Sequence, residues 1–81
     1  MHYVYIIGSV EHSGQRYVGY TSRRVDLRLD RHNSGTTPAT ARYSPWRLLW
    51  VGAFLDKQTA LAFESYLKSG SGRAFAVKHL L

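Results

Sequence analysis

Residues 2–8, His2-Tyr3-Val4-Tyr5-Ile6-Ile7-Gly8, are dominated by aromatic and β-branched side chains. Such side chains lose rotamer freedom in a helix and pack well on a pleated surface, so the run predicts a strand. A polar stretch containing Glu11, His12, Ser13 and Gly14 follows, then Arg16-Tyr17-Val18-Gly19-Tyr20. The two segments together predict a β-hairpin with a loop longer than the tightest type. Reflecting the chain about residue 11 places Tyr5 close to Tyr17 on the paired strand.

The rest of the chain supplies one further strand and about three helices. Ser22 is a candidate N-cap for a helix running to about Ser34, with Gly35 as a left-handed stop. Val25, Leu29 and His32 share one face of that helix, and Arg28 and His32 are four apart on one side. Residues 35–45 have loop composition, with Pro38, Pro45 and several Thr and Ser. Trp46 to Phe54 reads as a third strand, and its largely apolar content predicts a central, covered position. Asp56 is a candidate cap for a helix that Gly70 ends, and a short last helix begins near Gly72. The order β-β-α-β-α-α predicts an α/β layer, a three-stranded sheet with helices packed on it, as one domain over residues 1–81. If the second and third strands are parallel, their connection is a right-handed crossover.

No cysteine occurs in the 81 residues. Disulfides and thiolate zinc sites are unavailable, and one modest core must hold the fold. Two Trp, six Tyr and three Phe supply much apolar area per residue for it. No apolar run is long enough to span a bilayer, and the N-terminus has no basic n-region or small-residue cleavage site. A cytoplasmic protein with no membrane partner is the expectation.

Charge carries the first functional signal. Eleven Lys and Arg oppose five Asp and Glu, for a net charge of +6. Arg16, Arg23, Arg24, Arg28, Arg31, Arg42 and Arg47 are opposed in their part of the chain only by Glu11, Asp26 and Asp30. Arginine suits bidentate contact with phosphate, so a polyanion partner is favoured over a merely solvated surface. The expected nucleic-acid contacts are Arg23, Arg24, Arg31, Arg42, Lys68 and Arg73.

Glu64 is the most informative single position. Ala60, Phe63, Glu64 and Leu67 fall at i, i+3, i+4 and i+7, an apolar helix stripe in which an isolated carboxylate is costly. It can pair with a buried Arg, sit at the edge of the stripe, or hold a metal. Periodicity alone favours the first two readings together over the third. A hard divalent ion needs only one or two carboxylates when water and substrate phosphates complete its shell. Tyr5 and Tyr17 are each ordinary strand residues, but as a cross-strand pair beside Gly19 they would present two phenolic oxygens to one point. Arg28 and His32 read either as a basic helix face with a partly buried imidazole, or as a phosphate clamp with a proton acceptor beside it. Other chemistry is missing. Gly70-Ser71-Gly72 lacks phosphate-loop spacing, the four His make no zinc motif, and Ser13, Ser44 and Ser65 lack a nucleophile-elbow context.

Taken in order, these segments resemble the GIY-YIG nucleases. Val4-Tyr5-Ile6 stands at the first signature triplet and Tyr17-Val18-Gly19 at the second. Arg28-Leu29-Asp30-Arg31-His32-Asn33-Ser34-Gly35 is similar to the Arg-x-x-x-His segment. Pro45-Trp46-Arg47-Leu48 resembles the start of the third strand, and Ala60 to Lys68 the helix that carries the metal-binding Glu. The resemblance implies phosphodiester hydrolysis with one Mg²⁺ or Mn²⁺ held by Glu64. Tyr5 would help deprotonate the attacking water with His32 assisting, Tyr17 would orient water or phosphate, and Arg28 would stabilise developing charge. Two departures imply slower or narrower activity: Tyr20-Thr21-Ser22 follows the second triplet where relatives carry a Lys or other polar partner, and Ser69 and Ser71 stand where larger relatives have an Asn.

The expected function is a metal-dependent endonuclease acting on single-stranded or branched DNA, in repair or recombination. The chain resembles the nuclease half of branched-DNA enzymes, but their zinc-binding second domain would need Cys that is absent. Substrate choice is therefore expected from nucleic-acid shape, single-strandedness or a protein partner. The competing expectation is a basic module that binds nucleic acid without cutting it.

Overall fold

The computed structural model describes residues 1–81. Its elements are β1 (His2–Ser9), β2 (Arg16–Thr21), α1 (Val25–Asn33), α2 (Pro38–Ala41), β3 (Trp46–Phe54), α3 (Lys57–Lys68) and α4 (Gly70–His79). This is the expected α/β order with one extra turn of helix, α2. The sequence offered a signal for it in Pro38, which occupies the first turn, where its missing N–H costs nothing. No helix is long and apolar enough to cross a membrane.

The strands lie in the order β2-β1-β3, with β1 antiparallel to both neighbours. The central strand is thus β1, and the expectation of a central β3 is overturned. Val4, Tyr5, Ile6 and Ile7 are all buried, so β1 is covered on both faces. β3 is an edge strand, and Leu48 and Val51 remain 42% exposed. Apolar content alone did not separate the two cases. β2 and β3 run in the same direction with β1 between them.

The two faces of the sheet have different cores. Val4 and Ile6 pack with Ala60 and Leu67 of α3 and Ala76 of α4, joined by Val18, Trp50, Phe54, Phe63 and Phe75. Phe63 is the hub of that layer, with ring centroids 5.8 Å from Trp50 and 5.5 Å from Phe54. On the other face Tyr5, Ile7 and Trp46 pack with Tyr17, Val25, Leu29 and Tyr43. A β-bulge in the β1–β3 pairing between Ile6 and Ile7 changes the alternation of β3. It puts Trp46 on one face and Trp50 on the other, although both are even-numbered.

The boundaries differ from expectation in instructive ways. Tyr5 stands opposite Gly19 and Tyr17 opposite Ile7, so the two tyrosines are diagonal neighbours on one face. The hairpin reflects about residue 12, not 11. α1 begins after Arg24, not after Ser22, and its cap position makes no side-chain hydrogen bond. The chain there is held by Thr21, whose hydroxyl accepts from the Arg23 amide, and by Asp26, which accepts from the Leu27 amide. Asp56 caps α3 as expected, accepting from the Thr59 amide at 2.8 Å. Gly35 has the left-handed φ of +79° that ends α1.

Gly72 is the tightest point of the α3–α4 turn, because a Cβ there would overlap the Tyr66 carbonyl oxygen, whereas one at Gly70 meets nothing. Gly72→Ala is expected to lose about 1–3 kcal/mol, lowering Tm by roughly 4–8 °C per kcal/mol. Gly70→Ala should leave Tm unchanged or raised, and thermal denaturation of the two variants side by side checks the contrast.

Candidate active site

His32, near the end of α1, is fully buried. Its Nδ1 lies 2.7 Å from the Thr40 hydroxyl and its Nε2 lies 2.8 Å from the Tyr5 hydroxyl. The Thr40 hydroxyl donates its own proton to the Thr37 carbonyl. With the hydroxyl proton so directed, the Thr40 oxygen accepts from His32 Nδ1–H, and Nε2 is the acceptor. Tyr5 therefore donates to His32, and the lone pairs of its oxygen are left for another donor. Burial holds the His32 pKa below its usual value, with the Arg28 and Arg31 charges adding to the effect, so the ring is neutral near pH 7.

Tyr5 is the point on which the other groups act. Its ring crosses the neighbouring strand at Gly19, where any Cβ would overlap the phenol oxygen. Burial raises its pKa above the ordinary phenol value, and Tyr17 and Glu64 push the same way, while Arg28 opposes them. The phenol stays protonated, and it feels charges from β2, α1 and α3 at once. The Tyr17 ring stands 5.0 Å from the His32 ring. Arg28 lies beside the phenol, where hydrogen bonding and charge from its guanidinium lower the Tyr5 pKa, and its Nε is buried without any hydrogen-bond partner. An unpaired buried donor on a cation is costly, so this atom is suited to an anion brought by a ligand.

Glu64 sits at the margin of the α3 stripe, with its side chain 19% exposed and its carboxylate 3.3 Å from Lys68 one turn on. The pairing is with a half-exposed Lys on the same helix and not with a buried Arg, so one oxygen face is open to a further cation. No cluster of three or more His, Cys, Asp or Glu exists that could form an all-protein metal cage. Tyr5, Tyr17, Arg28 and His32 thus lie together around the Tyr5 phenol, and the Glu64 charge acts on that phenol from α3.

The sequence model of the GIY-YIG catalytic domain matches residues 1–76, nearly the whole chain. The chain belongs to the GIY-YIG family. It is a nuclease domain, and its substrate is nucleic acid. No curated protein and no solved structure gives a significant match.

Within this GIY-YIG domain, the basic side chains expected to meet nucleic acid are not equivalent. Arg23, Arg31, Arg42 and Arg73 are exposed without an acidic partner. Arg24 is held by Asp26, and Lys68 by Glu64. Arg42 lies over the Tyr43 ring at 5.5 Å. Sequence reasoning missed Thr40, which sets the His32 tautomer. It also missed the role of Asn33, whose side-chain amide donates to the Trp46 carbonyl and accepts from the Trp46 amide. Thr40 lies in a stretch that reads only as loop. Its one signal was its place just after Pro38, at the start of a helical turn.

A buried neutral imidazole makes stability depend on pH. The unfolded chain protonates His32 near ~6.5, while the folded protein resists that proton until lower pH. Below about pH 6.5 the unfolded state binds more protons, so stability should fall as pH drops through that value. Denaturant melts at about pH 7.5 and about pH 5.5 should show this loss. The loss should be smaller in His32→Gln, and an equal loss would assign it to other groups.

Proposed function

We propose that this chain is a divalent-metal-dependent DNA endonuclease that selects unpaired or branched strands. The observation that carries the reading is the directed hydrogen bond from Tyr5 to neutral His32, beside the unpartnered Nε of Arg28 and the margin carboxylate of Glu64.

The residues divide the work by position. A water resting on the Tyr5 oxygen can pass its proton there while the Tyr5 proton moves to His32 Nε2. The net result is a proton delivered to His32, with no free phenolate at any stage. The raised phenol pKa keeps Tyr5 protonated as donor, and the lowered imidazole pKa keeps Nε2 unprotonated and ready to accept while making it a weaker base. Such a transfer becomes favourable only as the attacking oxygen gains bonding to phosphorus. General-base help of this kind is worth ~10²–10⁴-fold in rate. Arg28 Nε donates to a phosphoryl oxygen and offsets charge building there. Tyr17, beside His32, narrows the space in which the water can sit.

Glu64 fits a site completed by water and substrate oxygens, since hard cations accept a single carboxylate with such partners. Mg²⁺ or Mn²⁺ bound there would supply Lewis-acid stabilisation of the phosphate and leaving oxygen. Lys68, half exposed, is free to swing from the carboxylate to a neighbouring phosphate. The alternative, a basic module that binds without cutting, leaves both the buried His32 chain and the orphan Arg28 donor without a task.

The test is a cleavage panel of single-stranded, duplex and branched DNA plus RNA, with Mg²⁺, Mn²⁺ or chelator. Glu64→Ala should abolish metal-dependent cutting, and undiminished cutting would remove Glu64 from the site. Tyr5→Phe should lose ~10²-fold or more in rate. Thr40→Val leaves the His32 ring in place but without an acceptor for its Nδ1 proton. It should reduce the rate by about tenfold or more without raising substrate KM, because only the proton acceptor is misdirected.

A further inference from the structure

On the sheet face opposite His32, two neighbouring clefts share the walls of the β1–β2 loop. The first, about 440 Å³, is lined by Arg16 and Val18 of β2, Leu67 and Lys68 of α3, and Arg73 and Val77 of α4, among others. The second, about 330 Å³, shares Gly14, Gln15 and Arg16 with the first and adds Ser9, Ser13, Arg47 and Leu49. No Asp or Glu side chain lines either one. The cations form a succession, from Lys68 and Arg73 through Arg16 to Arg47, above an apolar floor.

Two residues join this succession to the candidate active site. Lys68 lines the first cleft and is 3.3 Å from the Glu64 carboxylate. Tyr17 also lines it, and its ring is 5.0 Å from that of His32. A strand held beside Glu64 would therefore lie next to the first cleft, with Lys68 between them.

We propose that the two clefts are successive subsites for unpaired nucleotides of a single-stranded DNA, on one side of the bond to be cut. This rests on the nuclease reading and adds the basis of strand selection to it. Each subsite would seat a base against the apolar floor, with Val18, Leu67 and Val77 in the first and Leu49 in the second. The phosphates would follow the cations. The first volume lies in the range of small-ligand sites, roughly 300–1,000 Å³, and the complementarity is to a chain that alternates flat apolar groups with regular negative charge. A base within a duplex has both faces covered by its neighbours and cannot enter. The clefts thus discriminate by unstacked bases, while the exposed arginines elsewhere act on any phosphate backbone.

The experiment measures binding with chelator present, so that no cutting occurs. Fluorescein-labelled oligothymidylate of about ten nucleotides and a blunt duplex of the same length are titrated by anisotropy. Val77 is 57% exposed and Arg73 is exposed, so Val77→Glu and Arg73→Glu should fold, and their melting curves confirm it. Both should weaken oligothymidylate binding by about tenfold or more and duplex binding by less than about twofold. Arg47→Ala should reduce the slope of log affinity against log salt by about 0.7, one phosphate contact on a single strand. The proposal is overturned if oligothymidylate does not bind at low salt. It is also overturned if its affinity is unchanged in both Glu variants, or if single strand and duplex weaken equally. Cutting that persists in Glu64→Ala, with strand binding still lost in the cleft variants, would remove the proposed metal site and leave the clefts standing.

Discussion

The chain of hydrogen bonds from Tyr5 through His32 to Thr40 is the constraint on which the α1 face depends. It ties the central strand to the end of α1 and then to α2, which are separate in sequence. Buried polar groups stabilise only when every member is satisfied. Here they are: Thr40 donates onward to Thr37, and the Thr40 carbonyl accepts from the Trp46 indole. The same arrangement leaves one donor, Arg28 Nε, without a partner. On the proposed reading, the anion that satisfies this one orphan is a phosphoryl oxygen of the substrate.

The opposite face has the reverse character. Phe63 gathers Trp50, Phe54 and Phe75, and Ala60, Leu67 and Ala76 allow α3 and α4 to approach the sheet. The larger of the two apolar clusters lies there, built largely on aromatic rings. The other face can then carry buried polar groups, each of which would be a liability if it had to supply the core. β1 serves both, since its even-numbered residues Val4 and Ile6 enter one core and its odd-numbered Tyr5 and Ile7 the other.

What the sequence made legible follows from the range of the interactions involved. Elements set by local chemistry were readable: the β1–β2 hairpin, the Asp56 cap and the Gly35 stop all depend on residues within a few positions. The order of strands in the sheet was not. β1 and the Trp46–Phe54 segment are both apolar, and only tertiary pairing decides that β1 lies between its neighbours. The bulge opposite Ile6 and Ile7 is likewise invisible, because one extra residue on β3 leaves no compositional trace. Among the candidate site residues, Tyr5, Tyr17, Arg28, His32 and Glu64 were singled out from order and spacing, and Tyr5 and His32 are hydrogen-bonded to each other. Thr40 was not, since its importance comes from a contact eight positions back. For Glu64, periodicity pointed to a charge that must be explained. Its real partner, Lys68, lies on its own helix and leaves the carboxylate open on one side.

The second triplet shows how three adjacent residues carry three separate requirements. Tyr17 faces the His32 side, Val18 enters the core beneath α3, and Gly19 leaves space for the Tyr5 ring to cross β2. Strand alternation forces Tyr17 and Gly19 onto one face and Val18 onto the other. Antiparallel register then sets Gly19 opposite Tyr5, so the residue that must be small stands beside the ring that needs the room. A side chain at Gly19 would displace the phenol from His32 and from Arg28 together. The glycine is thus required by the Tyr5–His32 hydrogen bond and not by the backbone, since its φ is not among the positive values. The spacing between the two triplets is a consequence of the same geometry. It is the loop length that brings the first tyrosine across from the glycine of the second.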